Sequence, residues 1–133
     1  DQNLLRVIHY PPTNNDNPLG AVRAAPHEDI NLITLLCSGS QPGLQALDME
    51  NNWHNVTCDP NSIVINSGDM LNVCSNGYYP STTHQVVNPK NTELNVSRMS
   101  SPLFLHPNEE VALSSKYTAG SYLLERLREL GLK

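Results

Sequence analysis

The sequence predicts an all-β domain, a jelly roll or related double-sheet barrel, with one C-terminal helix. Three observations carry that reading. Ten prolines and seven glycines cut the 133 residues into short apolar segments at fairly even spacing, the mark of many short strands joined by turns. The length suits one domain with its own core and leaves no room for two. Only the C-terminal stretch carries an amphipathic helical stripe.

In chain order, strands are expected at 4–10 ("LLRVIHY"), 27–36 ("HEDINLITLL"), 44–49, 53–57, 62–66, 70–74 ("MLNVC"), 82–87 and 96–105 ("VSRMSSPLFL"). Turns are expected at "NPLG" 17–20, "PG" 42–43, "DPNS" 59–62 and "SGD" 67–69, and "NG" at 76–77 is a short-range hairpin signal. Segment 27–36 also fits a helical stripe through Ile30, Ile33, Leu36 and Cys37. Its β-branched content and its neighbours favour a strand. The final helix has Thr118 as its cap and Leu123, Leu124, Leu127 and Leu130 as its stripe. Gly131 ends it, with basic residues near the negative pole. It is expected to pack on a sheet.

A net charge of −5 without any Lys/Arg cluster argues against nucleic-acid or anionic-membrane partners. No apolar run approaches the ~18 residues of a transmembrane helix, and the opening stretch lacks the basic start and apolar middle of a signal peptide. Cys37, Cys58 and Cys74 form no C-x-x-C pair and read as unpaired thiols of a reducing, cytoplasmic compartment. Without a secretory signal, the sequons at Asn55 and Asn95 carry little weight.

The chemistry begins at "HED". On a strand, residues two apart share a face, so His27 and Asp29 would present an imidazole and a carboxylate side by side. His84, on a strand of β-branched residues, is the natural third group. Two imidazoles and one carboxylate on one side of an ion leave its other positions open, an arrangement that suits non-haem Fe(II). In "SRMSSPLFL", period two puts Arg98, Ser100, Pro102 and Phe104 on one face. An arginine aimed into an apolar barrel is costly unless it meets an anion, and a guanidinium beside a hydroxyl is shaped to take a carboxylate. Tyr10 offers a further donor, and Phe104 is a candidate pocket-lining residue. A 2-oxo acid with a distal carboxylate fits both ends of such a cavity. His9, His54 and His106 read as solvent-facing, and Asn66 and Asp69 as turn and backbone hydrogen-bonders.

The ordered set "LLRVIHYPP", "HEDINLITLL", "GLQALD", "SIVINSGDMLNVCSNGYYPSTTHQVVNP" and "SRMSSPLFLHP" resembles the core of the isopenicillin N synthase-like iron/2-oxoglutarate dioxygenases over nearly the whole chain. The resemblance implies a double-stranded β-helix, with His27, Asp29 and His84 as iron ligands. It also implies Arg98 and Ser100 as the R-x-S pair for the distal carboxylate of 2-oxoglutarate, with Tyr10 assisting. Ile8 stands where many members carry asparagine. The implied activity uses Fe(II), 2-oxoglutarate and O2 to hydroxylate or desaturate a small molecule, releasing succinate and CO2. Two alternatives share the fold: an iron oxidase using Arg98 and Ser100 for a substrate carboxylate without 2-oxoglutarate, and a non-catalytic binding barrel. The family's long N-terminal region has no counterpart here. Residues 1–133 are therefore expected to form a single catalytic core, a piece of a longer protein.

Overall fold

The computed structural model describes residues 2–13, 21–37, 39–57, 59–89 and 95–132. The turn expected at 17–20 and Cys58 lie outside these residues. Among them run β1 (Leu4–Leu5), β2 (Ile8–Tyr10), β3 (Ala24–His27), β4 (Ile33–Cys37), β5 (Leu44–Leu47), β6 (Trp53–Asn55) and β7 (Ile63–Ser67). Helix α1 (Asp69–Cys74), β8 (His84–Val86), β9 (Arg98–Leu105) and helix α2 (Ala119–Glu129) follow. One sheet has the order β1-β9-β4-β7, with β2 also paired to β9, and the other has the order β3-β8-β5-β6. All the strand pairs among the described residues are antiparallel. The predicted double-sheet, mostly β architecture with a C-terminal helix is what the chain adopts.

Strand alternation turns one face of the first sheet toward the second. Asn66, Thr34 and Phe104 lie in one cross-strand row and Val64, Leu36 and Pro102 in the next. These six line a cavity of about 520 Å³, which His27, His84 and Val86 of the second sheet also line. Pro26 sits in β3, at the edge of its sheet, where a missing backbone donor breaks no ladder. A register shift separates Ala24 from His27 in that strand, and it re-aims the strand end.

Some expectations fail locally. Segment 27–36 is not one strand: β3 ends at His27, residues 28–32 form a bend, and β4 starts at Ile33. The segment at 70–74 is helix α1, not a strand. Its Met70 and Val73, three apart, face the same apolar cluster as Leu113, Ala119 and Tyr122, and that burial decides between a run's two possible periods. The "NG" signal ends this helix instead of forming a hairpin. Asn76 and Gly77 both take positive φ, 52° and 82°, and the Gly77 N–H donates to the Asn72 carbonyl.

Helix α2 has the expected Thr118 cap, reinforced by a reciprocal bond with Ser121. It packs against α1 and Ile30 and Leu32 of the bend, not on a sheet. Ala119 and Tyr122 are its buried residues, whereas Leu124 and Leu130 are exposed.

Candidate active site

Asp29 is held in the bend between β3 and β4 by backbone bonds from helix α1. The Asp69 N–H donates to the Asp29 carbonyl at 2.8 Å, Met70 N–H to those of Ile30 and Asn31, and Gly68 N–H to that of Leu32. The first turn of a helix has N–H groups with no partner inside the helix, and here they clamp the bend. Position 68 must be glycine, because a Cβ there would lie 2.2 Å from the Asn31 carbonyl oxygen.

The Asp29 carboxylate is 7% exposed and its two oxygens have different duties. Oδ2 accepts from the Thr34 hydroxyl at 2.6 Å and from Asn66 Nδ2 at 3.0 Å. Oδ1 faces His27 Nε2 at 4.0 Å and His84 Nε2 at 3.8 Å. Both imidazoles are turned the same way. His27 Nδ1 lies 2.8 Å from the Ala25 carbonyl and His84 Nδ1 2.9 Å from that of Thr82. A carbonyl only accepts, so each Nδ1 carries a proton, and in the neutral ring the lone pair is then on Nε2. His27 and His84 are direct cross-strand partners of β3 and β8, with ring centroids 4.3 Å apart.

One atom from each of His27, Asp29 and His84 lies within 4.8 Å of the others. Two nitrogen lone pairs and one carboxylate oxygen, with Nδ1 and Oδ2 tied back to the fold, form a donor set suited to a divalent transition metal. The residues present fit an iron ion.

Arg98 and Ser100 point into the same cavity at its other end, 2% and 6% exposed. Arg98 Nε donates to the Gln41 carbonyl at 3.0 Å, and its guanidinium carbon is 5.6 Å from the centre of the Tyr10 ring. Tyr10 and Arg98 are register partners, as are Ile8 and Ser100. Gly39 lets this guanidinium lie where it does, since a Cβ at 39 would come within 2.7 Å of Nη2. Pro102 and Phe104 continue the inward face, as period two predicts, while Met99, on the alternate face, is exposed.

Sequence reasoning misses three parts of this site. Asn66, expected to serve a turn, positions the Asp29 carboxylate. Thr34 sits unmarked inside an apolar run, although a lone hydroxyl among β4's apolar residues signals an inward partner. His106, expected at the surface, lines the cavity half-buried, with Nδ1 buried and bonded to no described group. Burial pushes its pKa below the ordinary histidine value, against nearby backbone of Phe104 and Gln2. Leu123 and Leu127 of α2 also line the cavity, so that helix does reach the site.

Residues 2–107 match the family model of the 2OG-Fe(II) oxygenase superfamily. A flavonol synthase/flavanone 3-hydroxylase of Petunia hybrida is 35% identical over 80% of this chain and 29% of its own length. Gibberellin 2-beta-dioxygenase 8 of Arabidopsis thaliana is 32% identical over 94% of this chain and 35% of its own. Among solved structures, a protein from Shewanella oneidensis is 55% identical, with a TM-score of 0.86 over 99% of this chain and 48% of that one. A full-length Neurospora crassa protein solved in complex with alpha-KG is 33% identical, with a TM-score of 0.83 over 96% of this chain and 44% of that one. The chain thus spans about a third of those curated relatives and just under half of those solved chains. With a family model covering most of its residues, the chain belongs to the 2OG-Fe(II) oxygenase superfamily.

Proposed function

We propose that this chain is the catalytic core of an Fe(II)- and 2-oxoglutarate-dependent dioxygenase that oxidises a small molecule. The observation that carries the reading is the convergence of His27 Nε2, His84 Nε2 and Asp29 Oδ1, each aimed inward by a bond on its other polar atom. These three atoms would hold the iron. Arg98 and Ser100 would take the distal carboxylate of 2-oxoglutarate, and the Tyr10 ring would shelve the guanidinium. When bound, iron and 2-oxoglutarate together supply an O2-driven oxidation of a C–H bond that releases succinate and CO2.

The protein's own share is placement. Thr34 and Asn66 fix which Asp29 oxygen faces the metal, and the carbonyls of Ala25 and Thr82 fix the imidazole tautomers. The apolar walls exclude water from the reacting groups. Among the described residues no helix is long and apolar enough to cross a membrane. The setting we propose is cytoplasmic, where the exposed Cys37 and Cys74 would stay reduced.

The test pairs metal binding with turnover. Anaerobic Fe(II) titration should give one equivalent in the parent chain and none in His27→Ala. Succinate release with candidate substrates should require Fe(II), O2 and 2-oxoglutarate, and Arg98→Ala should lose 2-oxoglutarate binding. Iron uptake unchanged by His27→Ala would remove the triad assignment. Substrate oxidation that ignores 2-oxoglutarate would select an oxidase instead.

A further inference from the structure

We propose that the outer face of the second sheet binds a neutral saccharide, through Trp53 and a bonded row of three amides, Gln85, Gln45 and Asn55. The site is separate from the cavity and lies on the opposite side of the same strands.

Alternation separates the two faces. Leu44, Ala46, Val56, His84 and Val86 line the cavity, so Gln45, Leu47, Asn55 and Gln85 point away from it. Gln45 is the register partner of both Gln85 in β8 and Asn55 in β6. Gln85 Nε2 donates to Gln45 Oε1 at 2.8 Å, and Gln45 Nε2 donates to Asn55 Oδ1 at 2.9 Å. The three amides form one directed chain across three strands, about 10 Å long at the usual strand spacing. Among the described residues nothing donates to Gln85 Oε1 at one end, and Asn55 Nδ2 at the other donates to nothing. Bonds in such a chain polarise one another, so both ends are strengthened for an outside partner. A hydroxyl serves either end, because it both donates and accepts.

Trp53 stands beside this row. It is two residues from Asn55 on the same face, opposite Leu47, and about 7 Å along the strand from the amides. It is 37% exposed, and β6 is an edge strand, so the indole is reached from solvent. Cross-strand amide bonds alone would stabilise the sheet, but they do not call for an open indole next to them. Charge narrows the ligand. No lysine or arginine lies in β5, β6 or β8, and the acid at the rim, Glu28, accepts from the Thr83 hydroxyl at 2.7 Å. An anion finds no countercharge there, and the net charge of −5 repels it. A sugar ring supplies what the face lacks: C–H groups to lie on the indole and uncharged hydroxyls for the amides.

Trp53 is the chain's single tryptophan, so its fluorescence reports on this face directly. Cellotetraose and maltotetraose are titrated into the parent chain, with tetragalacturonate as the anionic control. At least one of the two neutral sugars should give a saturable change with a millimolar Kd, and tetragalacturonate should give none. Titration calorimetry on variants with unchanged circular dichroism then separates the contacts. Gln45→Ala, which cuts the row in its middle, should weaken binding about fivefold or more, the margin of one neutral hydrogen bond. Trp53→Ala should abolish binding, and Trp53→Phe should keep part of it. Anaerobic Fe(II) with 2-oxoglutarate should leave the Kd for the sugar unchanged. No saturable change with either neutral sugar, equal binding of tetragalacturonate, or full affinity in Gln45→Ala or Trp53→Ala overturns the site. Competition between the sugar and 2-oxoglutarate would place the sugar in the cavity and overturn it too.

Discussion

Asp29 is the most constrained residue of the triad, because a carboxylate has two oxygens and only one faces the imidazoles. Thr34 and Asn66 decide which. Removing either donor leaves the carboxylate in place and frees its rotation. Thr34→Val and Asn66→Ala should each weaken Fe(II) binding by about 10- to 100-fold, the usual cost of losing an outer partner of a metal ligand. Circular dichroism should show an unchanged fold, since one hydroxyl or amide is lost from a sheet that keeps its ladder. Anaerobic metal titration reads the effect, and full affinity in both variants would mean that the backbone alone aims Asp29. The same residue shows what a sequence can and cannot say. That His27, Asp29 and His84 belong together is legible from residue type and order. The geometry that joins them is not, because a shared strand face is the wrong reason: Asp29 sits beyond the strand end and reaches the same point from a bend.

At the scale of elements, the bend depends on helix α1, a segment whose sequence reads as a strand. Six residues are too few for periodicity to separate "DMLNVC" from an alternating run. The deciding contacts, Met70 and Val73 against Leu113, Ala119 and Tyr122, come from residues some forty to fifty positions later. The β9 face is legible because eight residues give four inward positions, and all four fall where period two puts them. Gly68→Ala tests the clamp. Its Cβ would meet backbone, not a flexible side chain, so the bend must move. We expect a loss of about 1–3 kcal/mol in urea unfolding, together with lost Fe(II) binding. A stable variant with normal metal affinity would show that the bend holds its shape without α1.

The β5–β6 turn gives a pH test at the same scale. Asp48 is held down to about 2 from an ordinary 3.8 by the Asn52 N–H first and the His54 ring second. A carboxyl with a depressed folded pKa stabilises the fold above its unfolded value and loses that contribution as pH falls toward the folded one. The stability gap between the parent and Asp48→Asn should therefore shrink as pH falls between about pH 4 and pH 2. An NMR titration of the Asp48 carboxyl with a midpoint near its ordinary value would refute the turn's electrostatics.

At the scale of the whole molecule, the interior is organised around the site instead of around a continuous apolar core. Asp29, Asn31, Thr34, Arg98 and Ser100 are all buried, alongside Leu36, Met70, Val86, Leu113, Ala119 and Tyr122. Meanwhile Leu5, Ile63 and Ile65, on the outward face of the first sheet, stay more than 60% exposed. Buried polar groups add little net stability even when satisfied, and exposed apolar groups add none. Stability should then depend strongly on what fills the cavity. A ligand that binds only the folded chain stabilises it by about 2.7 kcal/mol at a hundred times its Kd, which for a domain of this size raises Tm by roughly 10 °C. Fe(II) and 2-oxoglutarate added together without oxygen should produce a shift of that order. Asp29→Ala should abolish the metal-dependent part. Arg98→Ala should keep the metal-dependent part and lose the increment from 2-oxoglutarate, because the two ends of the cavity lie on different rows of the sheet. A Tm that neither ligand moves would mean that the two sheets hold together without help from the groups they enclose.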